Sequence, residues 1–269
     1  MQLPPLLPPL TVTDQMGRRV AVPFPPRRIV SLVPSQTELL HALGLGQHVV
    51  GVTKFCIHPA EARQQAAIIG GTKNFDFEQI AALKPDLIIG NKEENYQEGI
   101  EQLAAHYPVW MSDISTLAEA LDMIRRVGLI GGRKDAAEAL AAEIAASFEQ
   151  LPQPTKLIPA AYFIWRKPYM VAGTGTFIDE MLRQAGFRNV FASLARYPEI
   201  TPEQLQKAAP EQILLSSEPY PFQEKHLAEF RTLCRAAAVR IVDGELFSWY
   251  GSRLRLSAAY FRKLNSLPA

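Results

Sequence analysis

The sequence predicts an α/β protein with two Rossmann-like α/β lobes joined by a long, rigid helix and a ligand cleft between the lobes. The first observation behind this prediction is a repeat. Short segments at residues 77–80 and 85–89 recur, with similar residues and in the same order, at 202–205 and 210–214. The second is a stretch over residues 135–151 that contains neither glycine nor proline. A repeated α/β pattern favours two lobes of similar design, and domain interfaces are preferred places for ligand pockets.

The first half of the chain alternates between strand and helix patterns. A turn at residues 13–18 predicts a hairpin between short strands, after a proline-rich start. Short runs rich in β-branched residues predict strands at 29–33, 49–52, 86–89 and 109–111. The segments between them predict helices at 36–43, 77–83 and 99–106, the first of them closed by Gly44. Such alternation indicates βαβ units and a mainly parallel sheet.

The middle of the chain is helical. Residues 117–129 predict one helix, and residues 135–151 predict a second. The second helix carries an apolar stripe at helical spacing, formed by Ala137, Leu140, Ala141, Ile144, Phe148 and Leu151. Some 17 residues at about 1.5 Å each give roughly 25 Å, which is enough to connect two lobes.

Strand and helix patterns return in the second half. The predicted strands are 160–164, 213–215 and 240–242, and the predicted helices are 177–185, 203–207 and 256–267. The predicted domains are an N-terminal extension (1–26), an N-terminal α/β lobe (27–115), a helical connector (116–155) and a C-terminal α/β lobe (156–269).

Composition excludes several classes of protein. The chain is 48% hydrophobic and 20% charged, which is typical of a globular protein with a real core. Its net charge of +1, without a long basic run, argues against nucleic-acid binding. Cys56 and Cys234 fall one in each half and are expected to be separate buried thiols. The sequence has no apolar run long enough to predict a transmembrane helix.

The first ten residues lack the pattern of a secretory signal. They have no lysine or arginine, no continuous apolar stretch and no lipid-attachment cysteine. As it stands, the sequence therefore predicts a cytoplasmic protein. A natural start further upstream and a processed chain are the alternatives.

The candidate ligand-binding residues lie in the loops that follow the predicted strands, where ligands bind in α/β sheets. Their aromatic, amide and charged side chains suit a large flat ligand with a polar rim, although the rings could instead only cap the sheet edge. The candidates in the first lobe are Pro34, Ser35, Gln36, Lys54, Phe55, His58, Asn91, Lys92 and Tyr96. Those in the second lobe are Trp165, Arg166, Tyr169, Glu218, Tyr220, Trp249, Tyr250 and Arg253.

Glu78 and Glu203 occupy matching positions in the two copies of the repeat. Asp76 and Thr201 precede them as helix N-caps, and Pro202 suits a first helical position. In one interpretation each glutamate complements its helix dipole, for about 0.3–1 kcal/mol. In the other, the two carboxylates dock onto basic pockets of a two-fold symmetric partner. The residues alone leave both interpretations open.

The sequence shows no catalytic motif. His58 is a weak candidate for an axial metal ligand, since a lone histidine before proline is more often a structural loop residue. The glycine-rich segment 173–176 lacks the phosphate-binding fingerprints and predicts a tight turn before a helix. An enzyme using Glu93, Glu94, His58 and Lys54 for acid–base chemistry is an alternative without a supporting motif. We therefore expect no enzyme, no catalytic residue and no catalytic cofactor.

Two segments carry a family resemblance. Residues 28–40, RIVSLVPSQTELL, and residues 83–89, LKPDLII, resemble the helical-backbone (class III) substrate-binding proteins of ABC importers. The resemblance runs from about residue 12 to the C-terminus. Within that family the likeness is greatest to the vitamin B12 binders, through residues 54–59, KFCIHP, and residues 248–250, SWY.

The resemblance implies a monomeric, non-enzymatic receptor that delivers a metal chelate to an ABC importer. Cobalamin or a related corrinoid is the first expectation, and an iron–siderophore or haem is the alternative. The family implies a periplasmic or cell-envelope location and a permease dimer whose arginines receive Glu78 and Glu203. Lys54, Lys92, Arg166 and Arg253 would then meet polar groups of the ligand. A cytoplasmic corrinoid carrier or sensor without transport is the alternative that the N-terminus favours.

Overall fold

The computed structural model of the protein describes residues 7–266, with side chains described to residue 264. The chain divides into two compact units. The first comprises the described residues through Asp113 together with Ala118–Ile144 and Tyr250–Arg253. The second comprises Ile114–Leu117, Ala145–Trp249 and the chain from Leu254 onward. The division falls inside the long helix that the sequence predicts between the lobes.

An antiparallel hairpin opens the described chain. Strands β1 (Leu7–Thr13) and β2 (Arg19–Phe24) pair across the turn predicted at residues 13–18. The buried carboxylate of Asp14 holds this turn, because its Oδ1 accepts hydrogen bonds from the backbone N–H groups of Met16 and Arg18. Residues 1–6 of the predicted N-terminal extension lie outside the described residues.

A five-stranded parallel sheet forms the centre of the first unit. Its elements are β3 (Ile29–Ser31), α1 (Pro34–Ala42), β4 (Val49–Val52), α2 (Ala62–Gln65), β5 (Ala67–Ile68), β6 (Gly70–Gly71), β7 (Asn74–Phe75), α3 (Phe77–Leu83), β8 (Leu87–Asn91), α4 (Gln97–Ala104) and β9 (Val109–Ser112). The strands lie in the order β5-β4-β3-β8-β9, all parallel. The predicted strands, helices and parallel sheet of this half are confirmed. The short elements α2 and β5 and the separate β6–β7 ribbon were not predicted.

Two helices follow the first sheet, α5 (Leu117–Ile130) and α6 (Lys134–Glu149). Every residue of the apolar stripe predicted on the second helix is buried. The helices approach closely at Gly128, where an added Cβ would lie 2.1 Å from the Cβ of Ala137. A side chain at residue 128 would therefore force α5 and α6 apart.

The sheet of the second unit is mixed. Its elements are β10 (Ile158–Trp165), β11 (Tyr169–Val171), α7 (Phe177–Gln184), β12 (Phe187–Asn189), β13 (Glu199–Ile200), α8 (Pro202–Ala208), β14 (Gln212–Ser216), α9 (Glu224–Leu233), β15 (Ala238–Val242), α10 (Glu245–Ser248) and α11 (Leu254–Ser266). Strands β12, β10, β14 and β15 are parallel, whereas β11 is antiparallel to both β10 and β13. The chain returns from β10 to β11 through only three residues, and so short a connection permits only antiparallel pairing.

In the second half, the structure confirms the strands predicted at 160–164, 213–215 and 240–242 and the helices predicted at 177–185 and 203–207. The predicted end of the last helix, at Leu267, lies outside the described residues. Cys56 and Cys234 are buried and unpaired, as expected. Within residues 7–266, no helix combines the length and apolarity needed to cross a membrane.

Candidate functional site

A buried amide and hydroxyl network joins the first turn of α1 to the carboxyl ends of β8 and β9. The Gln36 Nε2 donates to the Ser112 Oγ at 2.6 Å, and the Asn91 Nδ2 donates to the same oxygen at 2.9 Å. The Asn95 Oδ1 accepts from the backbone N–H of Asn91 at 2.9 Å. Of the candidates here, Gln36, Asn91 and the neighbouring Ser35 are buried. These three residues lie inside the unit and not at its surface. Pro34 is the first residue of α1 and is half-buried.

Phe55, in the loop after β4, presents an exposed ring in the first unit. Its side chain is 49% exposed, and the Lys54 ammonium lies 5.1 Å from the ring centroid. The β6–β7 ribbon backs the ring, because a Cβ added at Gly71 would lie 3.3 Å from it. Sequence reasoning found Phe55 and Lys54 but missed this support, whose only signal is the glycine pair at residues 70–71.

The loop after β8 places Tyr96 against the ribbon. The ring centroids of Tyr96 and Phe75 are 4.9 Å apart, and Gly99 lets the Tyr96 ring lie close over α4. The Lys92 Nζ lies 2.6 Å from a carboxylate oxygen of Asp113, so an ion pair already occupies this ammonium. Tyr96 is half-buried and Lys92 exposed.

His58 is half-buried in the loop after β4. Among the described residues, no group of three or more His, Cys, Asp or Glu side chains is arranged to hold a metal ion. The role of His58 as an axial ligand stays a prediction.

Trp165 and Tyr220 form an aromatic pair in the second unit. Their ring centroids are 5.6 Å apart in an edge-to-face arrangement, and Trp165 is 39% exposed. His226 fixes the Tyr220 side of the pair. Its Nδ1 accepts from the backbone N–H of Gln223 at 2.9 Å, so the neutral ring carries its proton on Nε2, 3.4 Å from the Tyr220 hydroxyl. Burial lowers the pKa of His226, and the positive charge of Arg166 lowers it further.

Arg166 and Tyr169 share the carboxylate of Glu229. The Arg166 Nε and a terminal guanidinium nitrogen approach one carboxylate oxygen at 2.8 and 2.7 Å, and the Tyr169 hydroxyl donates to the other. Burial and the neighbouring carboxylate raise the pKa of Tyr169 to about 12. Burial alone would raise the pKa of Glu229, but the hydrogen bonds from Arg166 and Tyr169 outweigh it and hold that pKa below its ordinary value. Arg166 is thus already ion-paired.

Glu218 holds the segment that contains Trp249. Its Oε1 accepts from the Trp249 Nε1 at 2.9 Å and from the Ser248 Oγ at 2.7 Å. Trp249 is only 7% exposed, so its ring belongs to the interior of the unit rather than to an open surface. Burial raises the pKa of Glu218, and the negative charges of Glu245 and Asp243 raise it further, against the hydrogen bonds from Ser248 and Trp249.

The segment Tyr250–Arg253 packs on α1. The Arg253 guanidinium makes two hydrogen bonds to the Glu38 carboxylate, at 3.0 and 2.9 Å. A Cβ at Gly251 would lie 2.7 Å from the backbone oxygen of Ser35, so only glycine fits there. Tyr250 is buried and Arg253 half-buried. In this structure both residues hold the segment in place.

Glu78 and Glu203 have the same local surroundings. Each is exposed in the first turn of a seven-residue helix, α3 or α8. The predicted N-caps are confirmed, since Asp76 and Thr201 accept hydrogen bonds from the backbone N–H groups three residues later. Both helices also end in a left-handed residue that is not glycine, Lys84 with φ 47° and Ala209 with φ 45°. The repeat therefore extends to backbone geometry.

Comparisons with known proteins agree with this architecture. A family model described as periplasmic binding protein matches residues 29–240. The vitamin B12-binding protein of Pectobacterium carotovorum subsp. carotovorum is 28% identical over 243 residues, covering 87% of this chain and 86% of that protein. YvrC of Bacillus subtilis, an uncharacterized ABC transporter substrate-binding lipoprotein, is 29% identical over 217 residues, covering 77% and 68%.

A solved structure shows the same fold. The periplasmic heme-binding protein RhuT from Roseiflexus sp. RS-1 superposes with a TM-score of 0.72 at 26% identity, over 88% of this chain and 98% of that one. The predicted fold class is confirmed by this similarity.

Proposed function

Since the chain belongs to the periplasmic binding protein family, we propose that it binds a corrinoid, with cobalamin as the first candidate, for delivery to an ABC importer. The family and the relatives described above are substrate-binding proteins, so the chain is a receptor and not an enzyme. The observation that carries the choice of ligand is the exposure of aromatic rings in loops after the strands, Phe55 in the first unit and Trp165 in the second. Such rings suit the flat macrocycle of a corrinoid.

Polar groups beside each ring fit the rim of such a ligand. Lys54 lies over Phe55, and the Tyr220 hydroxyl lies beside His226 and Arg166 in the aromatic pair with Trp165. Mostly aromatic linings with a few placed polar groups are typical of small-molecule sites. The relation to a vitamin B12-binding protein over 87% of the chain supports the same ligand class.

A titration of the purified protein tests this proposal. We expect cobalamin and cobinamide to quench tryptophan fluorescence saturably. Substitution of either exposed ring by alanine, Phe55→Ala or Trp165→Ala, should weaken binding by about 1–3 kcal/mol, because the stacking area is lost. Leu129→Ala is the matched control, since Leu129 is 42% exposed but belongs to helix α5 and not to a loop that follows a strand. Unchanged affinity in both ring variants would remove this site from the account.

Haem is the second candidate ligand, and the similarity to the heme-binding protein RhuT favours it. A ferric siderophore belongs in the same comparison. Titration with haem and with a ferric siderophore under the same conditions separates the three ligands. Tighter binding of either than of cobinamide would replace the corrinoid with that ligand while leaving the receptor function in place.

We also propose that Glu78 and Glu203 dock the protein onto its permease. Their matched exposure and helix position support the second of the two interpretations drawn from the sequence. We expect Glu78→Lys and Glu203→Lys to leave ligand affinity unchanged and to lower ligand uptake by about tenfold or more, because a lysine would face like charge on a basic pocket.

Glu98→Lys provides the control for the docking experiment. Glu98 is also an exposed first-turn glutamate, on α4, but lies outside the repeat. Uptake that survives both repeat substitutions, or falls equally with Glu98→Lys, would contradict the docking role.

Compartment is part of the same proposal. The similarity to a lipoprotein and to proteins named as periplasmic supports action at the cell envelope. Fractionation of the natural host, followed by detection of the protein, tests this. Recovery only from the cytoplasm would favour the carrier or sensor without transport.

A further inference from the structure

The two carboxylate oxygens of Glu218 differ in their hydrogen bonding. Oε1 accepts hydrogen bonds from Trp249 and Ser248. An indole N–H can only donate, so the contact with Trp249 fixes Oε1 as an acceptor. Within the described chain, Oε2 has no hydrogen-bond partner, and the side chain is half-buried rather than enclosed. A half-buried carboxylate oxygen of this kind gains from any donor that reaches it.

The candidate cations of the loops are largely neutralised already. Lys92 pairs with Asp113 at 2.6 Å, Arg166 with Glu229 at 2.7 Å and Arg253 with Glu38 at 2.9 Å. Of the four cations that the sequence places in the loops, only Lys54 has no carboxylate partner, and it lies over Phe55. Lys92, Arg166 and Arg253 therefore offer little positive charge to an anionic ligand.

Glu218 itself has no compensating ion pair among the described residues. The nearby acidic groups are Glu245 and Asp243, which add negative charge. A ligand carboxylate placed at Oε2 would meet like charge in a partly desolvated position, which is costly. An uncharged N–H donor would meet an acceptor there.

From this charge distribution we infer that Glu218 is a specificity-determining residue that selects chelates with amide N–H groups on their rim over chelates with carboxylates on their rim. This inference rests on the proposed function, because it assumes a metal chelate in these loops. Corrinoids carry carboxamide side chains and haem carries two propionates, so Glu218 favours the corrinoid. Glu218 supplies discrimination, whereas the exposed rings supply the stacking contact.

The test compares Glu218→Gln with the wild-type chain, using cobinamide and haem as probes. Glutamine keeps a carbonyl oxygen for the Trp249 N–H but loses the charge and gains an N–H₂ group that can face a carboxylate. We expect the wild type to bind cobinamide at least about tenfold more tightly than haem. In Glu218→Gln we expect this ratio of dissociation constants to fall by about tenfold, mainly because haem binds better.

Glu245→Gln is the matched control, since it removes a neighbouring negative charge without touching the Trp249 contact. The tryptophan emission spectrum of each unliganded variant reports whether the Trp249 environment is kept, so a misfolded variant is recognised. A fall in this ratio that is clearly larger in Glu218→Gln than in Glu245→Gln supports the inference.

The other outcomes are distinct. If the ratio of the dissociation constants for haem and cobinamide is the same in the wild type and in Glu218→Gln, Glu218 does not select the ligand. The receptor function then stands. If haem already binds the wild type more tightly, the selectivity is reversed and the inference fails. If neither chelate binds the wild-type chain, the proposed function fails, and this inference fails with it.

Discussion

At the scale of single residues, the aromatic candidates differ in exposure. Phe55 and Trp165 are 49% and 39% exposed, whereas Trp249 and Tyr250 are 7% and 5% exposed. The sequence placed all four at the ends of strands and could not separate them, because exposure depends on what packs beside each loop. The buried Trp249 ring donates a hydrogen bond to Glu218, which lies 31 residues earlier. A contact between residues so distant in the chain leaves no local pattern.

This difference predicts losses of stability of different size for two tryptophans. Trp249→Ala should cost about 3–5 kcal/mol of unfolding free energy, as do other buried large-to-alanine changes. Trp165→Ala should cost about 0.5 kcal/mol or less, since its ring is more exposed. Urea unfolding of the unliganded proteins measures both. Equal destabilisation would show that Trp165 is a core residue and remove it from the ligand site.

The Arg166–Glu229–Tyr169 cluster predicts two pH effects. The pKa of Glu229 is lowered in the folded protein, so its contribution to stability is present above its ordinary value of 4.5 and is lost as pH falls below it. The pKa of Tyr169 is raised from 10.0 to about 12, so its contribution is present below pH 10 and is lost as pH rises toward 12.

Urea unfolding measured over a range of pH tests these effects, with one variant for Glu229 and one for Tyr169. Glu229→Gln should flatten the loss of stability on the acid side, and Tyr169→Phe should flatten the loss on the alkaline side. If Tyr169→Phe unfolds with the same alkaline slope as the wild type, Tyr169 does not carry the alkaline effect.

At the scale of elements, the two copies of the repeat form equivalent helices. The sequence predicted the starts of α3 and α8 well, because Asp76, Thr201 and Pro202 are strong local signals. It also predicted the end of α3 at Leu83 and the end of α8 to within one residue. It did not predict that the next residues, Lys84 and Ala209, adopt the left-handed conformation that glycine normally takes. The strained ends are recognised only from the backbone.

Two neighbouring alanines provide a test of that conformation. Ala209→Gly should stabilise the protein by about 1 kcal/mol, because glycine adopts positive φ without the Cβ clash. Ala208→Gly should instead destabilise it by up to about 1 kcal/mol, because Ala208 is the last residue of α8. Thermal unfolding of both variants gives the comparison. Destabilisation by Ala209→Gly would contradict a strained left-handed end.

Most elements that the sequence missed are short or antiparallel, although the ten-residue helix α9 was missed as well. Strands β6 and β7 have two residues each, too few to show alternation, yet they support Phe55 and Tyr96. Strand β11, which was not predicted, follows β10 after a three-residue turn. Long segments with a clear period, such as α6, were predicted to within two residues of their ends.

At the scale of the whole molecule, the repeat predicted two α/β lobes, and each compact unit contains one of the two large sheets. The similarity to periplasmic binding proteins extends over most of the chain. The ligand class rests on chemistry that the sequence displays, namely aromatic rings in loops after strands. The ion pairs of the candidate cations could not be predicted from the sequence, because Asp113, Glu229 and Glu38 are remote in sequence from the residues that they neutralise.

We propose that this chain is a receptor for an amide-bearing metal chelate. Isothermal titration calorimetry of the purified protein with cobinamide tests it most directly, with haem titrated under identical conditions. We expect saturable binding of one cobinamide per chain, tighter than that of haem. Failure of cobinamide to bind would contradict this proposal, whether or not haem binds saturably.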